Sequence, residues 1–141
     1  MYEPKILTEG FETEVRSKLS VKKSELSDQS IQSKGVAGLS ESMVIKRVPA
    51  YSTITDESDL MFLEAAVQYY MSYLLCLTMA NRLKHKVSTI EVSWERSKVD
   101  WQALAAEFLG LFEHALANIE TVEVVVPDSA LMALAKMERD E

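Results

Sequence analysis

The 141-residue chain has a single cysteine, two histidines, four glycines and three prolines. Each scarcity excludes something. One cysteine, Cys76, cannot form an internal disulfide, and it sits in the apolar run Tyr73-Leu74-Leu75-Cys76-Leu77, where a thiol acts as a small hydrophobe. His85 and His114 are 29 positions apart and lack partners at ligand spacing, so no metal site is expected. So few glycines and prolines leave little room for long irregular segments. There is no Gly-rich phosphate loop, no CxxC and no serine in a hydrolase elbow. Nor are there repeats at solenoid periods or low-complexity tracts.

Basic residues are also short. Lys and Arg number 15 against 22 Asp and Glu, a net charge of −7. The excess lies at one end. Met1 to Val48 carries eight basic and seven acidic residues, whereas Trp101 to Glu141 carries two and eight. Such a surface should not grip nucleic acid, since that affinity comes largely from Lys and Arg neutralising phosphates. Acids on a surface also aid solubility. The opening residues Met1-Tyr2-Glu3-Pro4-Lys5 lack the basic start and apolar core of a signal peptide.

Apolar residues make up 48% and charged residues 26%, the balance of one ordinary globular domain spanning residues 1–141. Leu7, Phe11, Val15 and Leu19 recur every fourth position and mark a first helix from Thr8, its cap, to Leu19. Ser27-Asp28 can cap a short helix through Ile31. Gly35 and Gly38 loosen the chain before a third helix, whose apolar face is Leu39, Met43 and Val44. Pro49 stops it. Residues 50–54 read as an extended connection.

Thr55 then caps the longest helix, with Asp56, Glu57 and Asp59 favouring its positive end. It runs to about Leu83. Leu60, Leu63, Val67, Tyr70 and Leu74 form one face, and Met61, Ala65, Tyr69 and Tyr73 a neighbouring one. From Leu60 to Ala80 the only charge is Glu64, so a membrane span must be weighed. Gln68 and the tyrosines favour a core helix instead. Cover on several sides is required, and one small chain is expected to fall short of supplying it, which suggests a subunit interface.

Ile90, Val92 and Trp94 alternate with polar residues, the period of a half-wet strand. Ser97-Lys98-Val99-Asp100 starts a helix to about Ile119, with the stripe Trp101, Leu104, Phe108, Phe112, Ala115 and Ile119. Thr121 to Val126 is a second strand candidate, ended by Pro127. Asp128 caps a last short helix bearing Leu131, Leu134 and Ala135. The expected fold is mainly α, a bundle of about five helices with one or two short strands. Residues 121–141 form a possible arm, able to cover an exposed helix face or reach a neighbour.

The order of these elements resembles the head–tail connector (adaptor) proteins of tailed bacteriophages. Three stretches carry the resemblance. Residues 11–19, FETEVRSKL, followed by 25–31, ELSDQSI, look like the family's opening helix with its V-R-x-x-L, acidic turn and second helix. Ile54-Thr55-Asp56-Glu57 leading into residues 63–70, LEAAVQYY, looks like its central helix. Residues 87–94 and then Val99-Asp100-Trp101-Gln102-Ala103-Leu104-Ala105 look like its strand, turn and final helix. The resemblance spans about Leu7 to Ile119.

It implies a homo-oligomeric ring of roughly a dozen copies below the portal, closed by head-to-tail contacts. Its partners would be the portal protein and the next connector or tail protein, with DNA passing non-specifically through the ring. The location implied is the virion head–tail interface, assembled in the host cytoplasm. No cofactor, no metal, no membrane and no catalysis are implied. Leu60, Tyr69, Tyr73, Trp94 and Trp101 are the candidate packing or interface anchors. Glu107, Glu113, Glu120 and Glu123 are candidate lumen-facing acids, since acidic walls repel phosphates and let DNA slide. Two other readings differ in class: a tail-completion or stopper protein, richer in strand, and a non-viral helical binding module. An enzyme would require His85 or His114 to meet acids in a pocket.

Overall fold

The structure, a computed structural model, describes residues 2–85 and 100–125. It is mainly helical. Helix α1 spans Phe11–Leu19, α2 Asp28–Ile31, α3 Leu39–Arg47, α4 Glu57–His85 and α5 Trp101–Ala117. A π-helical turn, Lys34–Gly38, leads directly into α3, and a 3-10 turn, Tyr51–Thr53, precedes α4. The strand expected at residues 90–95, Trp94, Ser97 and the helix from Asp128 lie outside the described residues.

The helix ends correct several expectations. Thr8 does not cap α1; its hydroxyl donates to Glu64 Oε1 across 2.7 Å. Gly10 holds the cap position with φ of 91°, a left-handed conformation that a Cβ would strain. Ser20 closes α1 in the left-handed region, and Val21 N donates to Arg16 O at 3.1 Å. Ser27 does cap α2, its side chain accepting from Ser30 N. Thr55 does not cap α4: Asp56 accepts from Asp59 N at 3.1 Å. Asp100 caps α5, accepting from Ala103 N at 3.1 Å. Tyr51–Thr53 is a 3-10 turn where an extended connection was expected.

Helix α4 is the hub. At about 1.5 Å per residue its 29 residues span roughly 43 Å. Helices α1, α3 and α5 and the π-helical turn all pack on it, most extensively α5. Leu63, Val67, Met71, Leu75 and Met79 are buried along it. By length and composition Glu57–Met79 could also cross a membrane, and 44% of that apolar window is buried within the chain.

Helix α5 runs antiparallel to α4. Tyr69 lies beside Phe108 with ring centroids 6.4 Å apart, and Tyr70 meets Phe112 edge-on at 5.0 Å. Further along, Glu120 and Thr121 reach Asp59 near the start of α4. Trp101, Phe108, Phe112, Ala115 and Ile119 are buried, as the expected stripe requires.

Helix α3 differs from expectation. Leu39 is exposed and Met43 half-buried, while Ser40, Glu41, Val44 and Arg47 face inward. Ala37, Val44 and Val48 set that face at helical spacing, and Glu41 falls between them. The second strand is corrected too. Residues 121–125 form no strand; Val125 N donates to Arg47 O at 2.6 Å, and Val122 and Val124 rest on the core.

Phe112 is 2% exposed at the crossing of α4 and α5. Phe112→Ala should cost about 3–5 kcal/mol, the usual penalty for emptying a buried ring. Urea unfolding of the two proteins measures it; a loss under 1 kcal/mol would contradict this packing.

Candidate interaction surface

The anchors named from sequence fall in different settings. Trp101 is buried at the start of α5, a packing residue and not a surface one. Tyr69 is half-buried between Phe108 and Lys18, whose Nζ sits 5.5 Å from the ring centre. Tyr73 is half-buried against Tyr70, ring centroids 5.4 Å apart. Burial, and then the neighbouring Tyr73, push the Tyr70 hydroxyl above its ordinary pKa. Leu60 is exposed beside Met61, at the start of α4. These residues do not form one patch. Leu60 lies at one end of α4, and Tyr69 and Tyr73 lie in its middle.

The acids divide as well. Glu107, Glu120 and Glu123 are exposed. Glu113 is held by Arg47 in a two-pronged pair, Nη1 to Oε1 at 2.7 Å and Nη2 to Oε2 at 2.8 Å. Its charge is therefore largely matched, although its side chain is exposed like those of the other three.

Glu41, Arg47, Asp59 and Arg16 are buried polar side chains that join distant parts of the chain, and sequence reading picked out none of them for this role. Glu41 is fully buried on α3. It accepts hydrogen bonds from Lys5 N at 2.9 Å, Ile6 N at 2.6 Å, Leu7 N at 2.9 Å and the Tyr2 hydroxyl. Three successive backbone donors and a phenol thus satisfy one carboxylate, which strings the N-terminal segment along α3. Burial and the adjacent carboxylate raise the Tyr2 pKa.

Arg47 is the second pin. Besides Glu113, its Nε donates to Val125 O, and its guanidinium lies 5.9 Å from the centre of the Phe112 ring. It binds α3, α5 and the segment after α5 at one point. Asp59 is the third, buried on the first turn of α4. It accepts from Glu120 N at 3.3 Å, Thr121 N at 2.9 Å and the Thr121 hydroxyl. Those bonds, foremost the Thr121 hydroxyl, hold its carboxyl below the usual value. Arg16, paired with Asp28 at 2.6 Å, ties α1 to α2. The signal for Glu41 was positional: the 37–41–44–48 spacing puts it on the inward face. Nothing in the sequence named its partners.

Surface cavities open between the described elements. One of about 490 Å³ lies between the N-terminal segment and α4, lined by Lys5, Tyr51, Ile54, Leu60 and Glu64 among others. A second, about 310 Å³, lies beside Tyr2, Gln29, Gln32 and Lys34. Another, about 280 Å³, is lined by Arg47, Glu113, Leu116, Ala117, Ile119 and Val124. His114 is exposed, and no group of three or more His, Cys, Asp or Glu suited to a metal occurs among the described residues. Cys76 is buried, and its thiol is pushed up to about 12 by desolvation.

Compared with protein-family models, curated proteins and solved structures, the chain matches none of them.

Two measurements test these pins. Glu41→Ala should cost roughly 3 kcal/mol, because it strands backbone donors at Lys5, Ile6 and Leu7. Hydrogen exchange at those three amides should rise with it, and unchanged protection there would refute the latch. Asp59 has a folded pKa below its unfolded value. Its contribution is complete above about pH 3.8 and disappears as pH falls through the lower folded value. Acid titration of stability should therefore show wild type losing its advantage over Asp59→Asn below that pH. A constant difference down to pH 2 would contradict the assignment.

Proposed function

We propose that this chain is a head–tail connector (adaptor) subunit of a tailed bacteriophage, a structural assembly protein and not an enzyme. In this reading roughly a dozen copies close into a ring below the portal, head to tail. One surface meets the portal protein, another the next connector or tail protein, and DNA passes through the middle. The protein works in the virion and assembles in the host cytoplasm. No cofactor, metal or membrane takes part.

The observation that carries this reading is the order of helices. The stretches that resemble the family at residues 11–31 fall on α1 and α2, and the one at 63–70 falls inside α4. The residues from Asp100 to Ala105 run into α5. Apolar side chains left outside, Leu60, Met61 and Leu77 on α4 and Leu109 on α5, offer area for subunit contacts. Burial of such area contributes about 25 cal/mol per Å² before association costs. Exposed Glu107, Glu120 and Glu123 supply an acidic surface that would let phosphates pass unbound.

A tail-completion or stopper protein is expected to be richer in strand than the one or two short strands read from this sequence. A non-viral helical binding module differs in its assembly state, and that difference is measurable.

Light scattering on the purified protein over a wide concentration range tests the proposal. The expected result is a discrete species near a dozen subunits, with no retention of duplex DNA at low salt. A chain that stays monomeric or dimeric throughout favours the binding module. Tight, salt-sensitive DNA binding would refute the sliding surface.

A further inference from the structure

Residues 2–8 form a strap laid across α3 and the first half of α4. Among the described residues, the hydrogen bonds that hold it run to two carboxylates. Glu41 on α3 accepts from the amides of Lys5, Ile6 and Leu7 and from the Tyr2 hydroxyl, and Glu64 on α4 accepts from Thr8. The strap has a small apolar seat. Leu7 is buried and Tyr2 and Ile6 are half-buried, while Glu3, Pro4, Lys5 and Thr8 are exposed. Cavities open at both of its ends, about 310 Å³ at Tyr2 and about 490 Å³ at Lys5, Ile6 and Thr8. A segment with so few buried apolar contacts opens at a lower free energy than packed helices do.

Lifting the strap strands no charge. The donors that satisfy Glu41 belong to the strap, and water enters where the strap leaves. The carboxylate therefore exchanges one set of donors for another. Pro4 has its φ set by its ring, which stiffens the released segment.

The seat does not distinguish whose strap fills it. Three of the four donors on Glu41 are backbone amides, and every copy of the chain carries the same residues 2–8. Glu9 and Gly10 join the strap to α1, and Gly10 turns there with φ of 91°. That conformation is open to glycine and costly for a residue with a Cβ. About this joint the strap can swing out, and the contacts it gives up are the ones it regains on a neighbour.

We infer that residues 2–8 exchange between copies of this chain, the strap of one docking on Glu41 of another with Gly10 as the hinge. Exchange needs only two copies, so it does not rest on the connector reading, and its failure would leave that reading standing. Closed and exchanged forms make the same strap contacts. Concentration and hinge conformation therefore decide between them.

Two full-length proteins test this, an unlabelled one with Tyr2→Cys and an isotope-labelled one with Gly38→Cys. A Cβ at Gly38 lies 3.3 Å from two atoms of the Tyr2 ring. It therefore crowds the labelled protein's own strap and marks where an incoming one lands. The two are mixed at high concentration, incubated and mildly oxidised. Cys76 stays out of the reaction, being buried with its thiol pushed up to about 12. The expected product is a disulfide joining position 2 of a light chain to position 38 of a heavy one, seen by mass spectrometry. Adding Glu41→Ala to the labelled protein should cut its yield about tenfold. No mixed disulfide, or a yield indifferent to Glu41→Ala, would overturn the exchange. Gly10→Ala reads the hinge. A Cβ there meets nothing within 4 Å, so only the left-handed turn is strained. The self-association constant of the full-length variant, from light scattering, should rise about tenfold over wild type. An unchanged constant would overturn Gly10 as the hinge.

Discussion

A 29-residue helix whose apolar residues occupy most of its circumference leaves few ways to arrange the rest of a small chain. Each uncovered side of α4 would hold apolar area in water, at about 25 cal/mol per Å². The fold answers by surrounding it. Helix α5 lies antiparallel along one side, locked by the Tyr69–Phe108 and Tyr70–Phe112 contacts, and α1 and α3 take other sides. Among the described side chains of α4, the large apolar residues left exposed are Leu60, Met61 and Leu77.

Apolar packing by itself does not fix where the segments between helices go, and buried charge does that here. A carboxylate or guanidinium taken out of water is costly unless its hydrogen-bonding capacity is met. Glu41, Arg47 and Asp59 each meet it with groups far away in sequence, so each fixes one connection. Glu41 places the N-terminal segment. Asp59 and Arg47 place the segment after α5, at its beginning and at Val125. The same pins decide which helix faces remain uncovered among the described residues.

Period and composition sufficed for much of the architecture. The Phe108–Phe112–Ala115–Ile119 spacing named the buried face of α5, and Leu63 and Val67 named part of that of α4. The boundary of α3 at Pro49 followed from the geometry of a residue before proline. Errors arose where charge was read as exposure. Leu39 and Met43 were expected inward on α3, whereas Glu41 and Arg47 occupy the buried side. Thr8 and Thr55 were expected as caps by residue type, yet Gly10 and Asp56 hold those positions. Thr121 to Val126 has the β-branched composition of a strand, but no strand among the described residues lies beside residues 121–125 to pair with. Among the anchors, residue type could not separate Trp101, which is buried, from Leu60, which is exposed.

What the sequence determined by itself is local in origin: the positions of the described helices, much of the apolar face of each long helix and the acidic balance from Trp101 onward. These follow from spacing of 3.6 residues per turn and from the chemistry of single side chains. Only the tertiary structure decided which polar residues turn inward, which distant backbone groups satisfy them, and which faces stay uncovered. Those outcomes depend on pairs separated by dozens of residues, such as Tyr2 with Glu41 and Asp59 with Thr121. A buried charge is stable only in the company of its partners, and no local pattern names them.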